Sequence, residues 1–119
     1  MTPDEFRALA LSLPDAEANA HLGNPDFRVK GKIFATMGGT TGRPVVKLTA
    51  EEQDLLFSVL PQIFAPVPGS WGQKGWTHLT LSAIDEATAK DALERSWRNV
   101  VQPPKRPRAR KAAAGSETP

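Results

Sequence analysis

The stretch His21-Leu-Gly-Asn-Pro-Asp-Phe-Arg-Val-Lys-Gly-Lys-Ile-Phe-Ala-Thr36 decides the fold. Gly23-Asn24-Pro25-Asp26 is a turn cluster. Two apolar-rich runs, 27–29 and 32–36, then flank Lys30-Gly31. That spacing predicts a tight hairpin in which Gly31 supplies the positive φ the turn needs. Its register sets Val29 opposite Lys32 and Phe27 opposite Phe34, an aromatic cross-strand pair on one face.

Upstream, Ala16–Leu22 alternates small apolar and polar residues, as a half-buried strand does. Thr2, Pro3 and Glu5 form a capping box with a proline at the helix start, and Phe6, Leu9, Ala10 and Leu13 recur at helical spacing, so a helix runs from Pro3 to Ser12 and stops before Pro14. Downstream, the loop 37–44 leads into a strand at 45–48, giving an antiparallel meander. Thr49 and Glu52 cap a second helix, whose apolar side is Leu55, Leu56 and Val59 and which Pro61 ends. Residues 61–75 read as a proline- and glycine-rich loop holding Trp71. Trp76–Leu81 alternates as a strand, and a third helix spans Asp85 to Val100 with Ala89, Leu93, Trp97 and Val100 on one stripe. Asp91–Arg95 and Glu94–Arg98 are supportive i,i+4 pairs on that helix. The order α-β-β-β-β-α-β-α predicts an α+β two-layer sandwich, an antiparallel sheet covered on one face by helices.

The 119 residues suit one domain, and the absence of cysteine excludes a disulfide scaffold, a thiolate metal site and a cysteine nucleophile. No apolar run approaches the ~18 residues of a membrane span, and the acidic N-terminal stretch is unlike a signal peptide, so a cytoplasmic, monomeric protein is expected. The net charge of +2 is unevenly spread: residues 1–102 carry −2 and residues 103–119 carry +4. The domain is therefore placed at 1–102. A disordered basic Pro/Ala-rich tail is placed at 103–119, with Lys105, Arg106, Arg108, Arg110 and Lys111 close together.

Residues 21–36, together with Gly75-Trp-Thr-His-Leu-Thr-Leu81 and the helix from Ala92 to Val100 containing Trp97, resemble the MmcQ/YjbR family. The resemblance covers residues 1–102 and implies a CyaY-like sandwich usually described as a "double wing" DNA-binding domain. The tail has no counterpart in that resemblance.

Catalytic chemistry finds little support. His21 and His78 lie 57 residues apart, outside any metal-ligand spacing. Ser58, Ser70, Ser82 and Ser96 have no evident base, and Gly38–Gly42 lacks the Lys-Ser/Thr ending of a phosphate loop. The acidic groups at Asp4-Glu5, Glu51-Glu52-Asp54 and Asp85-Glu86 sit at helix starts, where the helix dipole favours them. No cofactor, metal or catalytic residue is assigned, and a non-enzymatic protein is expected.

Cations are more informative. Arg28, Lys30 and Lys32 cluster on the first hairpin, Arg43 lies in the next loop, Lys47 on the following strand, and Lys74 beside Trp71 and Trp76. A hairpin with a basic tip can lay ammonium groups along phosphates. DNA is therefore the expected partner, held by these residues and the tail. The alternative is a small-molecule or protein-partner groove lined by Phe64, Trp71 and Trp76, with Val67 and the prolines at 61, 66 and 68 around it. Truncation after Gln102 tests the tail: if its five cations each neutralise a phosphate, the log–log salt slope of duplex-DNA binding, read by mobility shift, becomes shallower by up to about 4.5.

Overall fold

A computed structural model describes residues 1–21, 23–38 and 43–103. The chain runs α1 (Pro3–Leu11), β1 (Glu17–His21), β2 (Asn24–Val29), β3 (Lys32–Thr36), β4 (Val45–Lys47), α2 (Ala50–Val59), β5 (Phe64–Pro66), α3 (Ser70–Gln73), β6 (Trp76–Leu79) and α4 (Glu86–Val101). The six strands form one antiparallel sheet in the order β1-β2-β3-β4-β6-β5. This is the expected α+β sandwich, with one strand and one short helix more than the sequence suggested.

The helix starts follow their caps. Thr2 with Glu5 and Thr49 with Glu52 each form a reciprocal capping box, and Asp85 accepts from the Thr88 amide. Hydrogen bonding from the Thr88 side chain, and then from its amide, holds the Asp85 carboxyl below its ordinary value.

Residues paired across antiparallel strands share a face. The row Phe27–Ala35–Val46–Thr77–Pro66 faces the helices. Phe27 meets Phe6 of α1 edge-on, with ring centroids 6.3 Å apart. Thr77 accepts from the Gln53 side chain of α2. Phe6, Phe34, Val29, Leu48, Phe64, Leu79, Ala89 and Leu93 complete a core that is almost wholly buried. The next row, Asp26–Thr36–Val45–His78–Ala65, lies on the opposite, open face.

Several expectations need correction. The hairpin turn is as read: Val29 pairs with Lys32, and both Lys30 (φ 55°) and Gly31 (φ 78°) take positive φ, the pattern of a two-residue turn. The Phe27–Phe34 pair does not form. A bulge between Phe27 and Arg28 sets Phe27 against Ala35 and Arg28 against Ile33, leaving Phe34 as the extra residue. The 23–26 turn contracts, because Asn24 already pairs with His21 and Asp26 is a buried strand residue. Residues 17–20 of β1 are exposed on both faces, so their alternation does not mark half-burial. On α2 the inward residues are Gln53 and Leu56, whereas Leu55 and Val59 are exposed. Arg95 reaches Asp91 at 2.8 Å and Glu52 at 3.4 Å, with no ion pair between Glu94 and Arg98.

The bulge leaves a gap in the ladder, and α4 fills it. Beyond the Ala35–Val46 pair, the Lys47 N–H donates to the Ser96 hydroxyl (2.9 Å), and that hydroxyl donates to the Phe34 carbonyl. Asn99 Nδ2 donates to the Lys47 carbonyl at 3.1 Å. Ser96 is fully buried, so its loss strands two backbone groups away from water. Ser96→Ala is expected to destabilise the fold by about 1–3 kcal/mol, seen as a lower urea midpoint at unchanged m.

Candidate functional site

Strand direction sorts the cations. In an antiparallel sheet alternate strands start and end at the same side. The β2–β3 turn, the end of β4 and the start of β6 therefore share one end of the sheet. That end carries Lys30 and Lys32 at the hairpin tip, Lys47 closing β4, and Lys74 just before β6. Lys47 pairs with Trp76, so both side chains stand on the open face.

There the structure assembles a cluster. Lys47 Nζ lies 4.9 Å from the Trp76 ring centroid, and Lys74 Nζ lies 5.4 Å from that of Trp71. The two indoles meet edge-on, with centroids 6.0 Å apart and planes at 67°. Trp71 is 58% exposed. Lys47 is half-buried; burial, and then the nearby Lys74 ammonium, push its pKa below the ordinary lysine value.

The segment carrying Trp71 is held by its backbone. Val67 N–H donates to the Trp76 carbonyl and Leu48 N–H to the Gly75 carbonyl, both at 3.0 Å. Gln53 Nε2 reaches the Gly72 carbonyl (3.0 Å), the Trp76 carbonyl (3.2 Å) and Thr77 Oγ1 (3.0 Å) from α2. A Cβ on Gly72 would fall 1.9 Å from the Val67 carbonyl oxygen, and one on Gly75 (φ 102°) 1.9 Å from that of Leu48. Only glycine lets the turn close this tightly. Gln53 is a positioning residue whose sequence signal is a polar side chain three residues before Leu56 and seven before Leu60, at helical spacing with them.

The other candidates separate from this cluster. Arg28 stands on the open face but is bound through Nε and Nη2 to both oxygens of Asp26, at 3.0 and 3.2 Å, and that carboxylate is 2% exposed. The hydrogen bond to Asp26 raises the Arg28 pKa. Arg43 Nη2 donates to Thr80 Oγ1 at 3.2 Å, at the opposite end of the sheet. Phe64 pairs with Leu79 in the core, on the helix side, whereas Trp76 faces outward. Phe64, Trp71 and Trp76 therefore do not line one groove. Lys105, Arg106, Arg108, Arg110 and Lys111 lie outside the described residues, as do the loop residues 39–42.

His78 occupies the middle of the open face and is buried, and its Nδ1 has no hydrogen-bond partner among the described residues. His21 ends β1. Among the described residues no three His, Cys, Asp or Glu side chains are grouped so as to hold a metal, and no helix is long and apolar enough to cross a membrane.

A family model for YjbR matches residues 11–99, three quarters of the chain, taking in the whole sheet, α2, α3 and most of α4. The chain belongs to the YjbR family. Its fold resembles the crystal structure of Deinococcus radiodurans protein DR2400, described by the family-model domain DUF419, with a TM-score of 0.71 over 96% of this chain and 91% of that one, at 21% identity. No curated protein matches it. At that identity the likeness speaks to the YjbR fold alone, and the open-face cluster is argued from its own geometry.

The pH response of His78 follows from its surroundings. Burial, and then the Arg43 charge, lower its pKa below the ordinary 6.5, against a smaller opposing effect of a backbone hydrogen bond to Arg43. Between the folded value and 6.5, the unfolded chain holds a proton that the folded chain does not. Stability is then complete above pH 6.5 and falls as pH drops through the folded value. His78→Gln should flatten that decline in urea midpoints measured across the acidic range.

Proposed function

We propose that this YjbR-family chain is a non-enzymatic nucleic-acid-binding module, which contacts phosphates through the lysine-rich end of its open sheet face. The observation that carries the reading is the Lys47–Lys74 pair. Each ammonium group sits against one of two indoles that meet edge-on, and neither lies within ion-pair distance of a carboxylate among the described residues. An uncompensated pair of like charges on one face is complementary to a doubly anionic or repeating anionic ligand. Lys30 and Lys32 extend the same end of the sheet, and they too form no ion pair among the described residues. Lys30 sits in a left-handed turn conformation that fixes the hairpin tip.

Arg28 is left out of this interface. Its charge is already met by a buried carboxylate in a bidentate pair, so a phosphate would have to compete with Asp26. The net −2 of residues 1–102 likewise places the attraction in a local patch and not in the domain as a whole.

Duplex DNA binding measured against salt tests the reading. Lys47→Ala with Lys74→Ala should weaken binding and make the log–log slope shallower by about 1.8, two phosphate contacts' worth. Arg28→Ala should leave the slope unchanged. A double lysine variant with the wild-type slope and affinity refutes the proposal.

A further inference from the structure

Resting on that phosphate-binding reading, we propose that the Lys47–Trp76–Trp71–Lys74 cluster selects single-stranded DNA over duplex. One unstacked base lies against Trp71, and its flanking phosphates lie on Lys47 and Lys74. Lysines alone do not discriminate strand state, because both forms present phosphates. The indole does. In a duplex each base face is covered by its neighbours, whereas a single strand can turn a base onto an aromatic side chain.

Trp71 has the properties such a contact requires. It is 58% exposed, so it is not a lid over the core. It is also fixed in place: Trp76 abuts its ring, and the segment around it is pinned by the Gln53 amide and by the close backbone approach at Gly72. An exposed indole braced by a neighbouring ring and a pinned backbone loses less conformational entropy when a base stacks on it than a free one does. The cluster's order, cation–indole–indole–cation, flanks an aromatic surface with phosphate partners on both sides, the combination that sequence-tolerant single-strand sites use. Charge complementarity identifies the occupant. An apolar peptide would leave both ammonium groups unmatched, and an acidic peptide would leave the indole without a flat partner.

The test titrates the full chain at ~50 mM salt with a labelled dT oligomer of roughly 12 nucleotides and a duplex of equal length. Anisotropy and intrinsic tryptophan emission are both followed. The expected result is tighter binding of the single strand with quenching of emission. Trp71→Ala should lose about tenfold or more in single-strand affinity and most of the quenching, with duplex affinity unchanged. Trp71→Phe, which keeps a stacking face, should recover much of the affinity. Equal binding of the two forms, or a Trp71→Ala variant that binds the oligomer as the wild type does, overturns the proposal. In that case the parent reading stands if Lys47→Ala with Lys74→Ala still weakens both ligands, and falls with it if that variant changes neither. Unaltered circular dichroism of the Trp71 variants confirms that any loss comes from the contact.

Discussion

One buried hydroxyl does the work of a strand-to-strand hydrogen bond. Where the bulge in β3 pushes Phe34 out of register, the β4 amide of Lys47 finds no carbonyl across the ladder, and Ser96 of α4 enters the gap, accepting from one strand and donating to the other. Asn99, one turn further along α4, takes the Lys47 carbonyl, and also donates to Glu52 at the start of α2. Both backbone groups of Lys47 are thus held by the covering helix. The residue whose side chain crosses to the open face is positioned by the layer on the other side, so the candidate interface depends on the core although it contains no core residue. Satisfying buried backbone groups through a helix side chain also fixes the rotation of α4 against the sheet, since only one face of the helix carries Ser96 and Asn99.

The same economy applies at Trp71. Its position is set through backbone carbonyls: Gln53 on α2 bonds the Gly72 and Trp76 carbonyls, and two glycines permit close approaches that a Cβ would forbid. An indole left more than half exposed gives up part of the burial free energy available to a side chain of its size. The surroundings spend several hydrogen bonds and two glycines on keeping it there. Trp97 shows the contrast. It is half-buried against α1 and the sheet, and its Nε1–H is bonded to the Pro14 carbonyl at 2.9 Å, so its role is packing.

Caps, turn glycines and apolar periodicity made the layer architecture readable, because each is a local rule: Thr2, Thr49 and Asp85 mark three helix starts, and Lys30-Gly31 marks the hairpin. What escaped was set by tertiary contact. The bulge is matched by a contact from Ser96, 62 residues away from Phe34, which no window around Phe27 contains. β5 is three residues long and ends in Pro66, which an edge strand tolerates but a sequence pattern reads as loop. Leu55 and Val59 looked like an inward face because apolar residues usually are; the buried polar Gln53 on the true inward side is the clue that was available. Among the site residues, Lys47, Lys74, Trp71 and Trp76 were nameable as types in the right segments. Their meeting on one face follows from the β4–β6 pairing, which joins strands separated by 28 residues, two helices and a strand.

That meeting also sets the electrostatics of the two lysines. Burial beside Trp76 and repulsion from Lys74 both disfavour the charged form of Lys47, and its pKa falls accordingly. An anion bridging the two ammonium groups removes the repulsion and replaces lost hydration with a direct contact, so it restores the proton affinity that the free protein lacks. By linkage, the factor by which a bound anion would raise the Lys47 proton affinity is the factor by which that proton would tighten the anion. The carboxylate of Asp26 already performs that service for Arg28, two strands away on the same face. Arg28 is thus neutralised from within the fold, whereas Lys47 and Lys74 form no ion pair with a carboxylate among the described residues.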